Sequence, residues 1–250
     1  MFRDKTILLT GGAGGLGSLI SSQLMAEGAK VVVLDRAEPV NGVAFLKHDI
    51  STPEGIEAAA AAVARSDWDI VINLAGIQHF GPFERQTPEH LMASYLVNLI
   101  APVRLAQAAL PRMKAAGGGQ IVNVGSIFGS INFAHFVTYS SAKAGLRGFS
   151  QALRRELSGT GIDVTYVAPR AVKTALNSPA VMEFAKLTQM NMDPPEQIAA
   201  RIVEAIRGRK RDVYFGFPES LFVRINALFP RLVDNALSAN DRKAARLFSH

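Results

Sequence analysis

Thr10-Gly11-Gly12-Ala13-Gly14-Gly15-Leu16-Gly17 is the stretch on which the fold turns. It follows Lys5–Thr10 (KTILLT), an unbroken apolar run that reads as a buried strand, and it leads into Leu16–Glu27, a helix-period stretch closed by Gly28. Strand, glycine turn and helix N-terminus in that order make a cradle for a pyrophosphate. Free N–H groups and the positive end of the helix dipole face the anion, and glycine lets the backbone come close. An acid follows at Asp35, just past the apolar run Lys30–Leu34 (KVVVL), where a carboxylate accepts the hydroxyls of an adenosine ribose. The plainer reading is a glycine turn with a purely structural role. The strand before it, the helix after it and the placed acid together favour dinucleotide binding.

Outward from this turn, apolar runs alternate with helix-period stretches. Strands are predicted at Val43–Lys47, Asp69–Asn73, Gln120–Val124, Asp163–Val167 and Asp212–Phe215, and helices at Glu54–Arg65, Thr138–Ser158 and Pro194–Arg207. Pro88–Lys114 also has helical spacing and is broken in the middle by Pro102. Near-continuous Val/Ile runs mark strands covered on both faces, and strand–helix repetition makes their crossovers right-handed. The predicted fold class is therefore α/β, a single doubly wound parallel sheet, Rossmann-like, of about seven strands. Its 250 residues suit one domain over 1–250, with an amphipathic C-terminal helical extension over 216–250.

Composition narrows the chemistry. With 48% apolar residues the chain buries enough surface to offset ordering entropy, which excludes intrinsic disorder. Cysteine is absent, so thiol catalysis, disulfide scaffolds and cysteine-ligated zinc are excluded. His48, His79, His90, His135 and His250 show no metal-ligand spacing. Met1 to Asp4 lack the basic start of a signal peptide, and no run of 18 uncharged apolar residues exists, so the expected location is cytoplasmic or peripheral to a membrane. The net charge of +6 is uneven: residues 201–250 hold ten Lys/Arg against five Asp/Glu. Such asymmetry points to an anionic partner or to a solvated tail. No nucleic-acid recognition motif or aromatic-basic platform accompanies it.

Tyr139 and Lys143 stand at i and i+4, so they share one face of the predicted helix. A phenol titrates near 10, too high for a base at neutral pH, and a neighbouring ammonium is expected to lower that value. Ser126, just past the fifth strand, sits at the carboxyl edge of the sheet where ligands bind. Four residues before Pro102, Asn98 has a carbonyl deprived of its helical partner and free to hold a water.

Gly11, Gly15 and Gly17 give TGxxxGxG, and with the residues that follow the chain resembles the short-chain dehydrogenase/reductase family over residues 5–216. Asp49-Ile50 is similar to its adenine-contacting pair. Asn73-Leu74-Ala75-Gly76 is similar to its NNAG turn, with Leu74 in place of the second Asn. Asn98, Ser126, Tyr139 and Lys143 match the catalytic tetrad in order and spacing, and Pro169 and Thr174 match the positions after the sixth strand. The resemblance implies a nicotinamide cofactor held by Gly11, Gly14, Gly15, Leu16, Gly17, Asp35, Arg36, Asp49, Ile50, Asn73, Ala75, Gly76, Tyr139, Lys143, Pro169 and Thr174. It also implies hydride transfer between an alcohol and a ketone with Tyr139 as acid/base, Lys143 on the nicotinamide ribose, a proton relay through Asn98, and a homo-oligomer formed through residues 91–114 and 139–158.

Asp35 favours NAD(H), because its carboxylate repels a 2′-phosphate, whereas Arg36 could attract one and keeps NADP open. Arg170 replaces the glycine usual after Pro169 and leaves two readings open, a partner for an anionic group of cofactor or substrate, or a solvated side chain. The substrate side is expected to draw on Ile77–Phe80, Ile127–Phe136 and residues 171–192. These supply Ile127, Phe128, Phe133, Phe136, Leu176, Val181, Met182, Phe184, Leu187, Met190 and Met192, so a fairly apolar small molecule is expected. His79 and His135 read better as loop histidines than as substrate contacts. Beyond Gly216-Phe217-Pro218, Leu221, Phe222, Ile225, Leu228, Phe229 and Leu232 recur at helical spacing, with Arg224 and Arg231 beside them, and Pro230 is expected to end or bend the helix. That face suits packing on the domain, a subunit contact or a membrane surface.

Overall fold

A computed structural model describes residues 2–40 and 42–248; His250 lies outside them. Seven strands, β1 Thr6–Thr10, β2 Lys30–Asp35, β3 Ala44–Lys47, β4 Ile70–Asn73, β5 Gly119–Val124, β6 Ile162–Ala168 and β7 Asp212–Tyr214, form one sheet in the order β3-β2-β1-β4-β5-β6-β7. Every pairing is parallel. The order reverses between β1 and β4, and the loops leaving their carboxyl ends diverge there to leave a crevice.

Alternation along β1 shows how the two cores are built. Ile7 and Leu9 face the helices α1 (Gly15–Ala26) and α7 (Pro195–Arg207), where they join Ile20, Leu24, Ile198 and Ile202. Leu8 faces the other side, with Ile56 of α2 (Pro53–Ala64), Leu105 of α4 (Ala101–Ala115) and Leu153 of α5 (Val137–Glu156). Both faces of the sheet are thus covered, as its Val/Ile-rich strands require.

The break expected at Pro102 is absent. Pro88–Ala115 runs as one helix, long and apolar enough by length and composition to cross a membrane, but it packs on the sheet through Val97, Ala101, Leu105 and Ala109. Its first part, α3 (Pro88–Tyr95), passes into α4 through one widened π turn, Leu96–Ile100, and Pro102 follows directly after that turn, so the widened turn carries the helix past the proline. After β6, a loop and α6 (Pro179–Thr188) return to the domain. The chain ends in α8 (Glu219–Leu228) and α9 (Pro230–Arg246). Pro230 does end one helix, but it also opens another whose inward positions Val233 and Ala244 are buried.

Candidate active site

The carboxyl ends of the first six strands open onto one cleft of about 610 Å³. At its base α1 begins at Gly15 with no side-chain cap and no acid in its first turn, while Gly14 and Gly15 line the cleft. A Cβ added at Gly15 would meet nothing within 4 Å. The first-turn N–H groups therefore face open space suited to an anion. Gly17 is needed for a different reason: a Cβ there would overlap the carbonyl oxygen of Gly11. These residues fit the pyrophosphate of a dinucleotide.

Asp35 closes one side of the turn. Its carboxylate accepts from Ala13 N at 3.1 Å and Ala37 N at 3.2 Å, which fixes it at the cleft wall. Arg36, Asp49 and Ile50 line the same end, as do His48 and Ser51, which the sequence did not single out. Ser51 hydrogen-bonds Asp49 and holds its carboxyl below the ordinary carboxylate range, with the charge of Arg36 adding to the effect. On the opposite wall Leu74 N and Ala75 N both donate to Thr10 Oγ1, pinning the turn after β4 to the end of β1, and Ala75 and Gly76 line the cleft. Asn73 does not reach it. Its Nδ2 donates to Asn123 Oδ1 at 2.8 Å, and Asn123 in turn donates to Ser150, so Asn73 belongs to a buried polar chain between sheet and α5.

At the far end α5 brings Tyr139 and Lys143 together, the ammonium 5.8 Å from the ring centroid. Ser126 stands beside the phenol, and its Oγ accepts from Phe128 N at 3.1 Å, which fixes its rotamer. Tyr139 is 8% exposed and Lys143 3%. Burial outweighs the neighbouring ammonium: the phenol is pushed up to about 12, opposite to the lowering expected, although Ser126 pulls the other way. Burial also brings Lys143 from 10.5 down to about 8.

Lys143 Nζ donates to Val124 O at 3.0 Å, and no carboxylate pairs with it among the described residues. Its folded value lies below its unfolded one, so this group subtracts stability below pH 8, and stability returns as pH rises from about 8 to 10.5. At pH 7 the cost is about 3 kcal/mol. Lys143→Met is therefore expected to stabilise the cofactor-free protein by up to that amount at pH 7, and by almost nothing above pH 10.5. Urea titrations at the two pH values check it; equal gains at both would assign the effect to packing instead of charge.

Asn98 lies within the π turn. Its Nδ2 donates to Ser94 O and Ile77 O, each at 2.8 Å, and its buried Oδ1 has no partner among the described residues. A Cβ placed on Gly76 would lie 3.0 Å from that oxygen and 3.7 Å from Lys143 Nζ, so the two polar atoms flank one glycine. An unpartnered acceptor beside an ammonium is a natural seat for a water.

Pro169 and Thr174 line the cleft, and the carbonyl of Pro169 accepts from Ile127 N. Of the two readings left open for Arg170, the solvated one is superseded: the residue lines the cleft and is held from within the protein. Its guanidinium binds Asp193 through two bonds of 2.7 and 2.9 Å and Glu219 at 3.1 and 3.3 Å, an internal triad with little left for a ligand. Asp193 closes the loop-and-helix segment 171–193, whose ends are also stitched by Asp193 N to Ala171 O and Lys173 N to Asp193 O. Gly216, with φ of +94°, makes room for the arginine: a Cβ there would approach Arg170 Cδ to 2.6 Å.

Phe128, Phe136, Leu176, Val181 and Met190 form the apolar end of the cleft. Ile127, Phe133, Met182, Phe184, Leu187 and Met192 do not line it, although Phe133 and Phe184 back the wall and Leu187 is exposed. Gln78 is the polar group there that sequence reasoning passed over. It lines the cleft and donates to Leu176 O and Asn177 Oδ1, whereas His79 turns away to pack edge-on against His90. His135 meets Phe80 and Phe248 outside the cleft.

Comparison with known proteins agrees with this geometry. A sequence model described as short chain dehydrogenase matches residues 5–183. The chain is 31% identical over 226 residues to the ketoacyl reductase HetN of Nostoc sp., covering 84% of this chain and 77% of that protein. The structure of a short-chain dehydrogenase from Streptomyces avermitilis superposes with a TM-score of 0.79 at 28% identity, over 96% of this chain and 99% of that one. A short chain dehydrogenase from Burkholderia cenocepacia, solved in complex with NADP, shares the fold with a TM-score of 0.81 at 23% identity, over 95% and 98% of the two chains.

Proposed function

The chain belongs to the short-chain dehydrogenase family, and on that premise we propose that it is an NAD(H)-dependent oxidoreductase interconverting a secondary alcohol and a ketone on an apolar small molecule. The observation that carries the reading is one cleft with an anion cradle and Asp35 at one end and Ser126, Tyr139 and Lys143 at the other. A nicotinamide bound along it supplies the hydride acceptor or donor. Ser126 orients the substrate oxygen, and Tyr139 holds the proton that this oxygen gains in reduction and loses in oxidation. Lys143 binds the nicotinamide ribose, and a water on Asn98 Oδ1 links its ammonium to solvent.

The glycine residues, Asp35 and the turn Ala75-Gly76 hold the dinucleotide; Phe128, Phe136, Val181 and Met190 exclude water from the reacting atoms. Recombinant protein with NADH or NAD, screened against ketones and secondary alcohols of graded polarity by nicotinamide absorbance, tests the reading; absence of turnover on every apolar member would overturn it. Exposed Met92, Ile100 and Val137 on the helices over residues 88–156 support a homo-oligomer closed through that face, which sedimentation velocity tests.

Arg170 enters through substrate binding. Removing its side chain leaves the Asp193 and Glu219 carboxylates without their shared counter-charge and frees the base of segment 171–193, which carries Thr174, Leu176, Val181 and Met190 into the cleft. Arg170→Gly is expected to raise KM for the substrate about tenfold, the scale of losing a partly buried ion pair, with cofactor affinity unchanged. Steady-state kinetics with cofactor titration separate these; a weakened cofactor with unchanged KM would place Arg170 on the pyrophosphate after all.

A further inference from the structure

The joint between α8 and α9 is the most apolar exposed part of the described molecule. Phe217 is 77% exposed, Leu228 73%, Phe229 59% and Leu232 61%, with Leu221 and Phe222 less so. Whereas Phe217, Leu221 and Phe222 stand at the start of α8, Leu228, Phe229 and Leu232 cluster where the two helices meet in an elbow. Its inner side is anchored by Val223 and Val233, which pack on Ile127 and Ile131, and by Asn226 Nδ2 donating to Ser130 O. On α8, Leu221, Arg224 and Leu228 follow at i, i+3 and i+7 and share the outward face. Arg231 opens α9 beside Leu232. Neither arginine makes an ion pair among the described residues; of the two carboxylates near the joint, Glu219 is held by Arg170, and Asp234 stands three residues past Arg231 on α9 without an ion pair to it.

We propose that this elbow docks the protein on an anionic lipid surface, Leu228, Phe229 and Leu232 entering the headgroup–acyl boundary and Arg224 and Arg231 lying among the anionic headgroups. Aliphatic and aromatic side chains beside cations that make no ion pair are the two components of interfacial binding, one supplying apolar burial and the other electrostatic attraction. A second copy fits less well. A stable protein interface needs roughly 800 Å² and 20–30 residues from each partner, and the joint offers Leu228, Phe229 and Leu232 with the two arginines. The long helix Pro88–Ala115 is committed to the sheet, so the attachment is peripheral. The same arm backs the apolar end of the cleft. Ala244 and Leu247 pack with Phe136 and Phe184, and Phe248 packs on Phe80, about 20 Å along α9 from the joint.

The full-length chain is sedimented with vesicles of phosphatidylcholine alone and of phosphatidylcholine containing phosphatidylglycerol, at low and high salt. The unmodified protein is expected to bind the anionic vesicles and to release them as salt rises. Arg224→Ala with Arg231→Ala is expected to weaken partitioning about 25-fold, at roughly fivefold per arginine. Leu228→Asp with Phe229→Asp is expected to abolish it; all four side chains are exposed, so thermal melts of both variants should match the parent. No binding of the unmodified chain to anionic vesicles, or binding that both variants retain, overturns the proposal. So does an oligomer that dissociates on Leu228→Asp with Phe229→Asp while vesicles are ignored, which would assign the elbow to a second copy.

Discussion

Tyr139→Phe is expected to lower turnover by roughly 10²–10⁴-fold, the range that a positioned acid–base group contributes, while leaving the cofactor dissociation constant within about twofold. The substitution removes one oxygen and keeps the ring. The edge-on contact with Phe128, centroids 6.2 Å apart, survives, so the wall of the cleft is undisturbed. What disappears is the hydroxyl beside Ser126. Because burial holds this phenol protonated to about 12, it enters the reductive direction already carrying the proton that the carbonyl oxygen must gain. Oxidation requires the opposite, loss of that proton, so its rate is expected to climb with pH across a range in which reduction stays flat. Single-turnover rates in both directions, set beside a fluorescence titration of the cofactor, test both halves. Near-parental turnover in the variant would remove Tyr139 from the chemistry, and lost cofactor binding would recast it as a structural residue.

Much of this arrangement was legible because it depends on local rules. The order strand, glycine turn, helix places an anion cradle without reference to the rest of the chain, and the i, i+4 spacing of Tyr139 and Lys143 puts them on one face of any helix. What failed to show depends on three-dimensional context. The titration of Tyr139 was read from its neighbour's charge, whereas depth in the protein decides it, and depth is not written in residue order. Arg170 was read as facing cofactor or solvent because its two partners lie 23 and 49 residues further on. Asn73 sits at the end of a strand in the right motif, yet period-two alternation and a buried partner at Asn123 turn it inward. Pro102 was read as a break because the π turn that carries the helix past it has no simple residue signature. The helical extension over 216–250 was legible, but its division was not: Pro230 was read as an end or a bend, whereas it opens a second helix, since proline suits a first turn as well.

Asp35→Ala is expected to shift the ratio of NADH to NADPH affinity by about two orders of magnitude toward NADPH, through two effects of like sign. The carboxylate is fixed against the glycine turn by the N–H groups of Ala13 and Ala37, so it cannot swing aside from a 2′-phosphate. Bringing a dianion against it costs more than Arg36 returns, because Arg36 is exposed and its charge already acts on Asp49. Alanine removes that repulsion and also removes the acceptor for the ribose hydroxyls, a charge-assisted hydrogen bond of roughly 1.5–3 kcal/mol. NADH should therefore bind more weakly and NADPH more tightly than in the parent. The fold does not decide the matter, since a neighbour with the same sheet was solved with NADP. Isothermal titration of the parent and the variant with each reduced cofactor gives the four constants required. A parent that prefers NADPH would mean that Arg36 overrides the carboxylate, and the double variant Asp35→Ala with Arg36→Ala would then be expected to lose that preference.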